Sequence, residues 1–386
     1  MKSKESCIFF AITLLLGARK TCAFAPCSSR RPSYFSLSAV RSNTLYFAND
    51  ITGAQHESIL QGDTRNRKTV VVAGASGYIG KAVVRESLDR GYNTIALVRS
   101  SDRILSEEGQ RLYGESFKGA KVVEADVCDE VELTKVLSKY KADTLVSCLA
   151  SPVGTKKEAY AIDYQATLNF MNAGRSSQVQ ARHFILLSAF CCRNPILQLQ
   201  QAKLKFEAEL QKQTDLTYSI VRPTAFFKSV SGQFDAIKQG NPYVLFGDGA
   251  VTRCNPIAEN ELAEFMLNSM DDTNMQGKIL NIGGPDEPLT NQRLGEMMYE
   301  VAGLKNPKFV YAPTWIFDVI INSFQFLATI TKNEFLEDAT EYARIGKYYA
   351  VEDMLTTAPE EKYGKITMMD HYREIAAKGQ DPFTPM

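Results

Sequence analysis

Apolar residues fall in short runs along most of the chain. Thr69-Val70-Val71-Val72-Ala73 is a continuous β-branched run of the kind buried on both faces of a sheet. Behind it Ile79, Val83, Val84, Ser87 and Leu88 recur at helical spacing. Five further runs predict strands: Thr94–Val98, Lys121–Ala125, Thr144–Cys148, His183–Leu187 and Leu216–Val221. Helical patterns separate them. Such alternation implies an α/β fold, a Rossmann-type doubly wound parallel sheet, with ligands beyond the carboxyl ends of the strands. After residue 230 the pattern loosens. Residues 242–249 predict a strand and turn, Glu259–Met270 a helix, and Lys278–Ile282 a short strand before Gly283-Gly284-Pro285. These suggest a smaller C-terminal, substrate-facing part. The nucleotide-binding domain with its substrate-facing insertions is expected at 68–312 and a C-terminal helical extension at 313–386.

The first residues follow a different logic. Lys2 and Lys4 precede the apolar run Cys7–Gly17, and Thr21-Cys22-Ala23 supplies small residues for cleavage, which predicts a signal peptide over 1–23. From there to Asn49 the chain has no acid, three Arg and many Ser, the composition of a transit peptide. Residues 24–67 are read as transit peptide and linker. The join Ala23-Phe24-Ala25-Pro26 resembles the cleavage motif of diatoms and related algae whose plastids lie inside extra membranes. The expected location is the plastid, reached through both segments.

Charge and composition narrow the chemistry. Lys plus Arg and Asp plus Glu each number 44, but residues 1–49 hold seven basic residues and one acid. The body is therefore mildly acidic and offers no footprint for nucleic acid. Eight Cys without a C-x-x-C, and three His, give no metal-binding motif, so no metal site is expected.

The candidate cofactor site begins at Gly74-Ala75-Ser76-Gly77-Tyr78-Ile79-Gly80, directly after the first strand and at the start of a helix. Glycines there let the backbone approach a pyrophosphate, and the helix N-terminus supplies N–H donors. Gly74, Ser76, Gly77, Tyr78, Ile79 and Gly80 are the predicted contacts. The second strand ends at Arg99, where an acid would select NAD and an Arg accommodates the 2′-phosphate of NADP. NADPH is the expected cofactor. Asp126, Val127, Ala150, Ser188 and Pro223 fall at or just past the ends of later strands and complete the set. The G-x-x-G-x-x-G spacing and the Ala-Asp-Val turn resemble the short-chain dehydrogenase superfamily, in its extended or atypical branch.

The tail leaves alternatives open. Trp315–Ile330 is an apolar stretch broken by Asp318, Asn322 and Gln325, too short and polar to span a bilayer. It suits a helix packed on the core, a wall of an apolar pocket, or a helix on a membrane surface. Tyr342–Tyr349 is dense in aromatic and basic residues, fit for an acidic planar ligand or a snorkelling surface stripe.

Several longer runs carry a closer resemblance. They are Lys157–Tyr164, Ile185–Phe190, Gln201–Leu210, Tyr218–Ser229, Phe246–Gly249, Ile282–Pro285 and Ile345–Ala350. Together they resemble the plant divinyl chlorophyllide 8-vinyl reductases, over roughly residues 69–360. The resemblance implies NADPH-dependent reduction of the 8-vinyl group of divinyl chlorophyllide or protochlorophyllide to ethyl, in plastid chlorophyll synthesis. Peripheral association with a plastid membrane is compatible with it. Lys203 matches the Lys of the superfamily Tyr-x-x-x-Lys pair and is the candidate catalytic residue, expected to hold the nicotinamide ribose. Four residues earlier stands Leu199, so no phenol protonates a carbonyl oxygen there. Alkene reduction needs hydride at one carbon and a proton at the other, from another source. Nearby Cys191-Cys192 is read as structural thiols. Phe226, Phe227 and Lys228, after the sixth strand, are expected at the substrate: the rings against the macrocycle, Lys228 at its carboxylate. Two other functions fit the same fold: an isoflavone-reductase-like enzyme acting on another conjugated metabolite, and a non-catalytic NADP-binding plastid assembly factor.

Overall fold

The computed structural model describes residues 67–380 and the short strand Thr44–Tyr46. The expected signal peptide and, apart from that strand, the transit segment lie outside the described residues. In chain order the strands are β1 (Thr44–Tyr46), β2 (Thr69–Ala73), β3 (Asn93–Val98), β4 (Lys121–Glu124), β5 (Thr144–Ser147) and β6 (His183–Leu187). They continue with β7 (Thr217–Pro223), β8 (Tyr243–Phe246), β9 (Arg253–Cys254), β10 (Lys278–Ile282), β11 (Leu289–Thr290) and β12 (Phe309–Ala312).

The main sheet runs β1-β4-β3-β2-β5-β6-β7-β10. Every pairing in it is parallel except β1, which lies antiparallel on the outer edge of β4. The order reverses direction at β2, so a crevice opens between the ends of β2 and β5, where doubly wound sheets bind their ligands. The five residues of β2 are all buried, as an unbroken β-branched run requires of a central strand. One apolar layer, with Val70, Val72, Val83 and Ile185, covers one face; another, with Val71, Leu145, Phe170 and Phe206, covers the other.

Helix α1 (Tyr78–Asp89) follows β2, and α2 (Gln198–Gln211) joins β6 to β7. Helix α3 (Glu259–Asn268) packs beside α1, with Tyr78 Oη donating to Glu259 at 2.6 Å. Beyond the sheet, β8 pairs with β12 in a separate two-stranded ribbon, and α4 (Asn291–Val301) packs beneath it. Gly283 and Gly284 explain the Ile-Gly-Gly-Pro run. A Cβ on the first would lie 2.3 Å from the Asn255 amide, and one on the second 1.8 Å from the Pro256 carbonyl oxygen.

Residues 313–380 fold back on the rest of the structure at several points. Helices α5 (Trp315–Thr331) and α6 (Glu334–Val351) fold back on one another, joined by Arg344 to Gln325 at 3.0 Å and Lys347 to Asp318 at 2.6 Å. A Cβ at Gly346 would fall 2.8 Å from the Phe317 ring, so this glycine lets the two helices close. Met354 then pairs with Cys254, Lys362 pairs with Gly283, and α7 (Met368–Lys378) buries Tyr372 against Phe234. Only Phe317 and Ala328 of α5 are buried, and Trp315, Val319, Phe326 and Ile330 stay exposed. Among the described residues, no helix is long and apolar enough to cross a membrane.

Candidate active site

The glycine turn has the shape its sequence demands. Gly74 sits at φ +72°, and a Cβ there would lie 2.6 Å from the Cys148 carbonyl oxygen, so the turn closes against the end of β5. A Cβ on Gly80 would be 2.0 Å from the Gly74 carbonyl oxygen, which lets α1 dock directly on β2. At the helix start, Gly77 provides no side-chain cap and the first turn contains no acid. That leaves the helix N-terminus, with its partial positive charge, facing the crevice for an anion. The backbone therefore fits a dinucleotide pyrophosphate.

Arg99 is exposed just past the end of β3. Behind it Glu124 accepts from Ser101 N at 2.9 Å and Ser101 Oγ at 2.7 Å, which ties down the segment carrying Arg99. Asp126 caps its own turn, accepting from Cys128 N at 2.9 Å, with Val127 buried beside it. Ala150 is exposed past β5.

Ser188 and Pro223 are both buried at the ends of β6 and β7. Ser188 Oγ donates to Glu207, whose carboxylate also receives Arg222 in a two-pronged ion pair, Nε at 3.0 Å. The hydroxyl of Ser188 is thus engaged by the protein and holds α2 to the strand ends. Burial works against the Arg222 charge, but the Glu207 carboxylate outweighs it and holds the guanidinium protonated.

Lys203 is the centre of a second buried pair. Its ammonium lies 2.9 Å from Asp163, with side-chain exposures of 10% and 1%. Asp163 also accepts from Ser151 N at 3.1 Å, just after β5. Burial disfavours the ammonium, but Asp163 raises its pKa above the usual lysine value. Asp163 comes from a π-helical segment, Ala159–Ala166, a wide helical form found often at functional sites. No role for Asp163 was expected from the sequence; its only signal is its place in the Lys157–Tyr164 run.

Leu199 lies over Gly154, where a Cβ would come within 2.9 Å of it and 3.2 Å of Ile345. An apolar contact occupies the place of the usual phenol. The reading of Cys191-Cys192 as purely structural is incomplete. Both are buried, but Cys191 lines a cavity of about 510 Å³ at the ends of β6 and β7. A hydrogen bond from Cys192 lowers the Cys191 pKa, and the charge of Lys203 acts in the same direction.

The same cavity is lined by Ala189, Pro223, Phe226 and Tyr349. Phe226 and Phe227 part company here. Phe226 faces the cavity and stands 6.2 Å from the Tyr78 ring. Phe227 is 1% exposed and packs on His371, 5.0 Å between ring centroids, so it is a core residue and not a cavity wall. Lys228 also departs from expectation. Its ammonium stands 5.2 Å from the centre of the Tyr78 ring, beside the glycine turn. A larger cavity, about 630 Å³, is lined largely by charged and polar groups, Lys156, Glu337, Glu341 and Arg344 among them. The smaller, more apolar one adjoins the carboxyl ends of the strands, where this fold does its chemistry. No cluster of His, Cys, Asp and Glu fit for a metal ion occurs among the described residues.

The Tyr342–Tyr349 stretch is not a surface stripe. Arg344 and Lys347 bind α5, Tyr348 is buried with its hydroxyl on the Cys191 carbonyl at 3.0 Å, and Tyr349 lines the cavity.

A family model described as NAD(P)H-binding matches residues 74–273. The chloroplastic divinyl chlorophyllide a 8-vinyl-reductase of Cucumis sativus is 41% identical over 325 residues, covering 80% of this chain and 76% of that protein. That of Zea mays is 41% identical, covering 81% and 80%. Among solved structures, the leucoanthocyanidin reductase–NADPH complex of Vitis vinifera superposes with a TM-score of 0.59 at 15% identity, over 80% of this chain and 99% of that one, a likeness of fold. With the nucleotide turn, the buried lysine and this extent of identity in hand, the chain belongs to the divinyl chlorophyllide a 8-vinyl-reductase family of NAD(P)H-binding oxidoreductases.

Proposed function

We propose that this chain uses NADPH to reduce the 8-vinyl group of divinyl chlorophyllide or divinyl protochlorophyllide to ethyl, in the plastid. The observation that carries the reading is the pairing of an apolar cavity at the strand ends with a buried, charged lysine and an apolar residue, Leu199, in the phenol position. That arrangement disfavours carbonyl reduction by the usual route and suits an alkene on a broad apolar ligand.

NADPH, when bound, supplies the hydride. The turn from Gly74 to Gly80 and the N-terminus of α1 hold its pyrophosphate, and Arg99 meets its 2′-phosphate. Lys203, fixed by Asp163, orients the nicotinamide ribose. Phe226 lies against the macrocycle in the cavity, where Arg253 is a lining cation for a free carboxylate; Lys228 stands over the Tyr78 ring instead. The plastid assignment draws support from the relatives being chloroplastic reductases and from the composition of residues 1–49.

The test is direct. Purified protein incubated with NADPH and divinyl chlorophyllide should give the monovinyl product by absorbance and chromatography. NADPH oxidation without that product, or no turnover at all, would overturn the reading.

A further inference from the structure

We propose that Tyr349, carried on α6, is the proton donor of the reaction, a role for which position 199 supplies no phenol. This rests on the function proposed above and supplies its missing half. Hydride addition to one vinyl carbon leaves an electron pair on the other, and that carbon needs an acid within reach.

The acidic side chains lining the cavity are Cys191, Tyr243, Cys254, Tyr349 and Glu352. Tyr243 and Cys254 are buried, at 6% and 7% exposure, whereas the partly open Tyr349 directs its hydroxyl as a donor at Cys191 Sγ, 3.9 Å away. The two tyrosines of α6 have divided roles. Tyr348 is fully buried, its hydroxyl committed to the Cys191 carbonyl at 3.0 Å. Tyr349 is 46% exposed, and the surface it leaves open includes cavity wall. The Ile345–Ala350 run is what places it there: Gly346 admits the Phe317 ring, α6 closes on α5, and the next turn reaches the ends of β6 and β7.

The ring of Tyr349 is partly open, but desolvation around its hydroxyl, and then the nearby Cys191, raise its pKa well above the usual tyrosine value. The phenol is therefore loaded at neutral pH. In the step, the vinyl π bond opens as hydride adds to one carbon, and the Tyr349 O–H bond breaks as the other carbon takes its proton. The macrocycle gains two electrons, the nicotinamide loses them, and a phenolate remains. Cys191 then returns a proton to the phenolate. The resulting thiolate is supported by the Cys192 hydrogen bond and by the charge of Lys203, and recovers its proton from water.

The experiment uses the purified full chain. Tyr349→Phe removes one oxygen and leaves the ring. It should lower kcat by at least about 100-fold, the usual worth of a general acid. Titrations of NADPH and of divinyl chlorophyllide, and the melting temperature, should match wild type. Cys191→Ala should cost less, about tenfold, since water can reload the phenol. Tyr348→Phe should lower the melting temperature and leave kcat close to wild type. Wild-type kcat in Tyr349→Phe would overturn the proposal. So would a loss that follows weakened substrate binding, or a larger loss in Cys191→Ala than in Tyr349→Phe, which would assign the proton to the thiol. If wild type itself fails to reduce the vinyl group, the proposed function falls, and this assignment with it.

Discussion

Asp163 and Lys203 lie 2.9 Å apart at the edge of the strand ends, almost sealed from water, on two helical segments that meet only in the folded chain. Breaking such a pair strands one buried charge and costs about 3–5 kcal/mol, whereas replacing both with apolar groups is often neutral. This separates structure from catalysis. Asp163→Asn should lower unfolding free energy by about 3 kcal/mol and disturb the lysine. The double variant Asp163→Leu, Lys203→Met should recover most of that stability in urea titrations. Its turnover should stay at least about tenfold below wild type, or roughly 1.4 kcal/mol in barrier. A double variant with wild-type turnover would reduce Lys203 to a structural cation.

Arg99 tests the choice of cofactor. Its exposed position beyond β3, on a segment held by Glu124, suits a charge-assisted bond to a 2′-phosphate. Such a bond contributes about 1.5–3 kcal/mol. Arg99→Ala should weaken NADPH binding by about 10–100-fold in fluorescence titrations and leave NADH nearly unchanged. Equal loss of both would show that the residue supports the loop and does not read the phosphate.

Most of the frame was legible because local pattern and tertiary role coincide there. The β2 run is uniformly apolar and becomes a central strand; Gly74 and Gly80 announce a turn that admits no Cβ. What depended on distant contacts was hidden. Phe226 and Phe227 are neighbours of one type, and only the bridge between Phe226 and Ile257 shows which one faces the cavity. Ser188 has the right address for a ligand, but a carboxylate nineteen positions on, at Glu207, takes its hydroxyl. Asp163 was invisible as a partner for Lys203 because a π-helical turn breaks the 3.6-residue spacing used to align faces. The pattern of the tail leaves a core helix, a pocket wall and a surface helix equally open, and only the α5–α6 contact at Gly346 brings Tyr348 and Tyr349 to the site.

Leu199 offers a negative test. It rests on Gly154, itself at φ +74°, and close to Ile345. Leu199→Tyr restores the superfamily pattern but places a bulky phenol in an apolar contact. It should not raise vinyl reduction, because an alkene leaves no oxyanion there to protonate. It should destabilise the protein by about 1–3 kcal/mol through overpacking. Gly154→Ala should also be destabilising, from both the backbone conformation and the crowding against Leu199. Faster turnover in Leu199→Tyr, measured at saturating NADPH, would restore the phenol route.

His183 predicts how stability depends on pH. It is buried at the start of β6, with Nδ1 2.8 Å from the Thr217 hydroxyl and Nε2 3.3 Å from that of Ser219. Burial, and to a lesser degree the charge of Lys68, lower its pKa from 6.5 to about 4. Between those values the unfolded chain binds a proton that the folded chain refuses. Stability from this group is therefore complete above about pH 6.5 and drains away as pH falls toward 4, by about 3 kcal/mol in all. Carboxylates titrate in the same window, so the measurement is a difference. Urea unfolding at pH 7.5 and pH 4.5 should show a steeper loss for wild type than for His183→Gln, by about 2–3 kcal/mol, even though the variant starts less stable. The same pH dependence in both proteins would show that the imidazole takes up its proton without opening the sheet.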